Sequence, residues 1–332
     1  EMRLRRPFRV AYGEAASKTS LFVEIDGCNW GEASGSVYYG PSKEEIERDL
    51  EIGIEILRGT EKPSVGVLEE INRFELNHSA RFALSTAYLH YLSGKLGQYP
   101  WEIVDLESPD EIRTSFTVSI SSIGEMISEM KESPYPTIKL KMGFDGDEEL
   151  LPELKKITGR NFRIDANGGW SLEKAERMLF ELARTGVELI EQPTKQELAV
   201  EWQYLKGRLN VALFIDEGLN VLEDYFKYAD YVAGINIKQA KAGGIIEAAA
   251  IATQAAKYRR KVMLGCMVES SVAIAPALYM ASLADYFDLD GPLLLEQDCA
   301  TGIMFNFDKI SLGEDIIGGP KLKSSLRYAK TE

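Results

Sequence analysis

Histidine is almost missing from this chain of 332 residues: His78 and His90 are the only two, and both lie in a stretch that reads as helix. That excludes a His-dependent catalytic triad and a three-His zinc site, so any acid–base chemistry falls to lysines and carboxylates. Cysteine is scarce too, with Cys28, Cys266 and Cys299 far apart. An odd, sparse set does not read as a disulfide framework and suits a reducing cytoplasm, the location expected here. No apolar run reaches the roughly 18 residues of a membrane span. The start, Glu1-Met2-Arg3-Leu4-Arg5-Arg6-Pro7-Phe8, has charge but no apolar stretch of a secretory signal. A formal net charge of −14 argues against nucleic acid or an anionic membrane as a partner, since both call for basic patches.

What is present falls into two textures. In the first hundred or so residues, Val23-Glu24-Ile25 and Trp30-Gly31-Glu32 alternate like strands around the turn Asp26-Gly27. Ser42 with Glu45 forms a capping-box pattern that opens a helix running to about Arg58. Helical periodicity returns from Ala80 to Leu96 and stops at Gly97 and Pro100. From Thr114 a repeat begins, with β-rich runs at Phe116–Ile120, Thr137–Met142, Phe162–Ala166, Val187–Glu191, Ala212–Asp216, Gly234–Lys238, Val262–Cys266 and Tyr286–Asp290. Helical segments such as Ser171–Thr185 and Gly244–Arg259 fill the gaps. Strand alternating with helix at this spacing predicts parallel βα units, and eight of them close into a (β/α)₈ barrel. The competing open doubly wound sheet would want a glycine-rich phosphate loop, and neither GxGxxG nor GxxxxGK[ST] occurs. The expected division is an α+β unit at 1–113, a barrel at 114–298, and a tail at 299–332 that returns to the N-terminal unit.

Barrel chemistry sits at the C-terminal ends of the strands. Strand two ends Lys139-Leu140-Lys141, and alternation sends both lysines into the barrel. Strands three, four and five end in Asp165-Ala166-Asn167, Glu191-Gln192-Pro193 and Asp216-Glu217. Three carboxylates on adjacent strand ends make an all-oxygen site that favours Mg²⁺ over zinc. The plainer alternative is that such acids cap the following helices, although Ser171 is better placed than Asp165 for that task. Strand six ends Asn236-Ile237-Lys238, opposite strand two, so Lys141 and Lys238 would face each other across the mouth. A carboxylate held by Mg²⁺ would then present its α-carbon between two amines, one to remove a proton and one to return it from the other face. Lys241 reads as a surface residue whose stem lies along the barrel. Strand eight, expected across from strand four and so away from the metal, ends Asp288-Leu289-Asp290-Gly291-Pro292. Two carboxylates there suit an ammonium group, and an ordinary turn is the competing reading. Glu269 is a candidate addition to that acidic end, or a solvated loop acid; Thr117 is a mouth residue or a packing one.

Taken together these motifs resemble the enolase superfamily, specifically the muconate-lactonizing subgroup, over nearly the whole chain. The resemblance rests on Lys139-x-Lys141, Asp165-x-Asn167, Glu191-Gln192-Pro193, Asp216-Glu217 and Lys238 with Gly243-Gly244. It implies Asp165, Glu191 and Asp216 as Mg²⁺ ligands, Lys141 and Lys238 as the acid/base pair, and Lys139 as a holder of the substrate carboxylate. Asp288-Leu289-Asp290 further resembles the DxD motif of dipeptide epimerases, which implies epimerisation of a dipeptide at its C-terminal residue. In that family specificity comes largely from loops of the capping unit, here Tyr12–Ser20. Some Ala-Glu epimerases place an arginine there, whereas this loop has Lys18 and no arginine; Ala-Ala and hydrophobic dipeptides stay open beside Ala-Glu. Two alternatives remain, another reaction of the subgroup (o-succinylbenzoate synthase, N-acylamino-acid racemase, cycloisomerase) and a non-catalytic barrel that binds a small molecule. A homo-oligomer is compatible with the sequence.

Overall fold

The computed structural model describes residues 1–35, 40–60, 62–206 and 211–323; the last nine residues of the expected tail, 324–332, lie outside them. The strands Ser20–Ile25 and Asn29–Ser34 pair antiparallel around Asp26 and Gly27, both with positive φ (56° and 77°), a region that Asp and Gly tolerate. Helix Lys43–Arg58 starts at the expected capping box, Glu45 N donating to Ser42 Oγ at 3.2 Å and Ser42 N to Glu45 Oε2 at 2.7 Å. The long helix His78–Leu96 ends on Gly97 in the left-handed region and is buried along most of its length. It lies directly on the Asn29–Ser34 strand, because Gly31 has no side chain to collide with the Ala83 carbonyl.

One expectation is corrected in this unit. Tyr12–Ser20 is not a free loop: Gly13–Lys18 is a strand, paired antiparallel with Met2–Val10, and only the turn at Ala11-Tyr12 and the single residue Thr19 are irregular. The charged run Met2-Arg3-Leu4-Arg5-Arg6-Pro7 hides a strand whose register shifts between Arg3 and Phe8, around Pro7. Leu295 O accepts Arg5 Nε (2.8 Å) and Arg3 O accepts Glu296 N (2.9 Å), which pins this hairpin to the barrel.

The barrel is as expected. Its strands are Phe116–Val118, Thr137–Lys141, Asn161–Asp165, Val187–Glu191, Ala212–Ile215, Gly234–Lys238, Lys261–Gly265 and Tyr286–Asp288, paired in parallel in sequence order. First and eighth strands meet through Ser115, whose N donates to Phe287 O (3.2 Å) and whose Oγ donates to Asp288 Oδ1 (2.7 Å). Ile138 and Leu140 pack into the hydrophobic core, which leaves Lys139 and Lys141 on the other face of their strand. The tail forms short strands, of which Lys309–Leu312 pairs with Ile112–Arg113. Lys321 Nζ donates to Cys28 O (3.1 Å) and Gly318 N to Ser93 Oγ (3.0 Å), so the tail touches the N-terminal unit. Among the described residues no helix is long and apolar enough to cross a membrane.

Candidate active site

Asp165, Glu191 and Asp216 come together at the ends of the third, fourth and fifth strands, each offering an oxygen within 4.8 Å of the others, and all three are buried. None caps a helix. Ser171 takes Lys174 N (3.2 Å), and the helices after Glu191 and Asp216 begin at Lys195 and Val221. Glu191 Oε1 accepts Asn236 Nδ2 (2.7 Å), while the buried Glu191 Oε2 faces the ammonium of Lys139 at 2.9 Å. Three buried carboxylates whose oxygens converge fit a hard divalent cation, and no sulfur or imidazole belongs to the set.

Four lysines surround this row. Lys141 Nζ lies 2.6 Å from Asp165 Oδ2, and Lys238 Nζ lies 2.5 Å from Asp216 Oδ2, so the two amines flank the row from its two ends. Lys139 Nζ reaches Asp165 (3.0 Å), Glu191 (2.9 Å) and Asp288 (2.7 Å) at once. This corrects the expected placing of Asp288 far from the metal site: the interior of an eight-strand barrel is narrow enough for one ammonium to span it. Lys241 corrects a second expectation. It is 7% exposed, and its Nζ donates to Asp216 Oδ1 (2.7 Å) and Asp216 O (2.5 Å).

Electrostatics follow from this packing. Burial opposes ionisation of Asp165 and Asp216, but the lysines around them win, and both stay below the usual carboxylate range. Glu191, in the middle, is pushed up to about 8 by burial and by the neighbouring Asp165. For Lys139 burial pulls down, yet Asp165, Asp288 and Glu191 hold the ammonium well above its ordinary value.

The other end is built from the first, seventh and eighth strands. Asp290 Oδ2 accepts Thr117 N (2.7 Å), and although Asp290 sits at the start of a short helix its side chain makes no cap. The ordinary-turn reading therefore does not account for where the carboxylate goes. Burial, with Asp288 beside it, raises Asp290 to about 7. Thr117 is buried at the mouth, and Glu269 is 3% exposed with Oε2 unpartnered among the described residues. Burial and then Glu32 push Glu269 up to about 8.

Sequence reasoning missed Glu32. It is fully buried, and Ser270 donates to it through Oγ (2.5 Å) and N (3.1 Å), a contact between residues 238 apart. The only sequence signal was an acid in a strand with no charged partner nearby. The roles of Gln192 and Asn167 were also unread. Both have positive φ (43° and 44°), and Gln192 Oε1 accepts Asp216 N (3.0 Å) and Glu217 N (3.1 Å), which sets the fifth strand end. His90 is structural, bonded to Trp30 O (2.7 Å) and Tyr279 OH (3.0 Å).

A cavity of about 770 Å³ opens above this floor, with Lys139, Lys141, Lys238, Asp288 and Asp290 below and Phe8, Val10 and Lys18 of the N-terminal hairpin above. The Phe8 ring centroid lies 6.0 Å from Lys141 Nζ.

Residues 123–300 match the family described as enolase C-terminal domain-like. The chain is 33% identical over 310 residues to an L-Ala-D/L-amino acid epimerase of Flavobacterium johnsoniae, covering 91% of each chain. It resembles the substrate-liganded L-Ala-D/L-Glu epimerase of Bacillus subtilis with a TM-score of 0.84 at 26% identity, over 97% of this chain and 94% of that one. The dipeptide epimerase of Methylococcus capsulatus, complexed with Mg and the dipeptide L-Arg-D-Lys, matches with a TM-score of 0.84 at 25% identity over 96% of each chain.

Proposed function

The chain belongs to the enolase C-terminal domain-like family, and from that premise we propose that it is a Mg²⁺-dependent dipeptide epimerase acting at the α-carbon of the C-terminal residue. The observation that carries this reading is the pair of buried lysines, Lys141 and Lys238, at the two ends of one row of carboxylates. An α-proton beside a carboxylate is very weakly acidic, and inversion needs one group to take it and another to replace it from the opposite side.

Asp165, Glu191 and Asp216 would hold Mg²⁺, which when bound would supply the positive charge that makes the C–H beside the substrate carboxylate more acidic. Lys139 adds its ammonium beside that carboxylate. The lysine on the proton-bearing face, as a neutral amine, removes the α-proton, and the electron pair spreads into the substrate carboxylate. The opposite lysine, as an ammonium, returns a proton to the other face. Exchanging the two roles runs the reaction backwards. Asp288 and Asp290, with Glu269 behind them, receive the free ammonium of the dipeptide, and Thr117 steadies Asp290. Phe8 and Val10 next to Lys18 leave room for an Ala-containing or hydrophobic dipeptide. We place the enzyme in the cytoplasm, in keeping with its three free cysteines.

The test is incubation with Mg²⁺ in D₂O against a dipeptide library, read by mass spectrometry. Uptake of one deuterium confined to dipeptides supports the reading and reveals the preferred second residue. No uptake by any dipeptide, with turnover of a succinylated or lactone-forming acid, replaces it with another reaction of the subgroup.

A further inference from the structure

We propose that Lys241 is a positioning residue that fixes Asp216 as a metal ligand and ties the metal site to the N-terminal unit. The inference rests on the metal role given above to Asp165, Glu191 and Asp216. Asp216 is held at both carboxylate oxygens, by Lys238 on Oδ2 (2.5 Å) and Lys241 on Oδ1 (2.7 Å). Lys238 has to swing toward the substrate to move a proton. Lys241 does not, and its second bond, to Asp216 O at 2.5 Å, locks it to the same residue's backbone. Its ammonium is therefore the hold on Asp216 that lasts through turnover.

The backbone of Lys241 is gripped from outside the barrel. It lies in a single helical turn, Gln239–Ala242, that ends at Gly243 and Gly244, with φ of 88° and 137°. The long helix of the N-terminal unit presses on that turn. His78 Nδ1 bonds the Lys241 carbonyl, the Arg81 guanidinium packs where a side chain on Gly243 would be, and Ser85 does the same at Gly244. Both glycines are thus required, by φ and by space, for the N-terminal helix to come this close. One end of Lys241 answers to that helix and the other to the metal ligand.

Partners that orient a ligating carboxylate are typically worth about 10–100-fold in metal affinity. Mn²⁺ in place of Mg²⁺, followed by electron paramagnetic resonance without substrate, reads the site independently of activity. Lys241→Met removes the ammonium, Lys241→Gln keeps one donor should Lys241→Met fold poorly, and Asp216→Asn serves as the control. The expected result is strong loss of Mn²⁺ binding in Asp216→Asn, and about 10–100-fold weaker binding in Lys241→Met with Lys241→Gln between it and the wild type. Wild-type affinity in the Lys241 variants, with binding lost in Asp216→Asn, overturns the role of Lys241 alone. Unchanged binding in Asp216→Asn overturns the metal assignment, and this inference with it.

Discussion

On one side of the cavity floor, Asp165, Glu191 and Asp216 stand among the ammonium groups of Lys139, Lys141, Lys238 and Lys241, all within 3.0 Å of a carboxylate oxygen. On the other, Asp290, Glu269 and Glu32 are met by neutral donors: Thr117 N, Met267 N and the Ser270 hydroxyl and amide. The acids of the second group all ionise late, Asp290 at about 7 and Glu269 at about 8, with burial as the first cause in each. In the first group only Glu191, hemmed in by two other acids, does so. Buried negative charge is costly unless it is paired. The lysine-rich side is compensated by its own chain; on the function proposed above it does the chemistry, and the lysine-poor side takes the cation that arrives with the substrate.

That contrast breaks most visibly at the lysines. Lys141→Ala and Lys238→Ala should each slow epimerisation by roughly 10²–10⁴-fold, followed by chiral chromatography from both diastereomers. Near wild-type rates in both variants would remove the pair from the mechanism and make the lysine-rich side a structural ion-pair network. A smaller effect should appear at the opposite end. Asp290→Asn should raise KM by roughly 10–100-fold while kcat changes little, because an ammonium contact holds ground state and transition state alike. If kcat falls and KM stays put, Asp290 acts through Thr117 on the barrel and does not bind the ammonium.

The two sides were also unequally legible. Barrel, acid row and flanking lysines could be read because each residue ends an apolar strand, and alternation alone aims Lys139 and Lys141 inward. Lys241 was misread because it lies one turn past the strand, where only the docked N-terminal helix shows that it is covered. Asp288 was put too far from the triad because strand numbering gives direction around a barrel but not its width. Glu32 was invisible: nothing in Trp30-Gly31-Glu32 says that the strand will press against Ser270. The N-terminal hairpin was hidden by arginines and Pro7, which mask its few buried apolar positions, Met2, Leu4 and Val10. What the sequence conceals is where the smaller unit meets the barrel, for such contacts are set by tertiary docking and leave no period.

The smallest effect is a test of the lysine-poor side through stability. Glu269 has an ordinary pKa of 4.5, and in the folded protein it is raised to about 8 by burial and then by Glu32. Between those values the folded chain keeps a proton that the unfolded chain has released. Stability therefore falls as pH rises through this window, and the loss is complete above about 8. Glu269→Gln removes the titration, so its melting temperature relative to wild type should climb from pH 5 to pH 8, by about 1–2 °C for each kcal/mol recovered. Thermal melts of both proteins without metal would show it. An equal drop in melting temperature at both pH values would mean that Glu269 is ionised throughout and already paired, with Lys18 as the cation. The far end of the cavity would then be compensated by the chain itself, like the metal side, and would have no charge left to offer an ammonium.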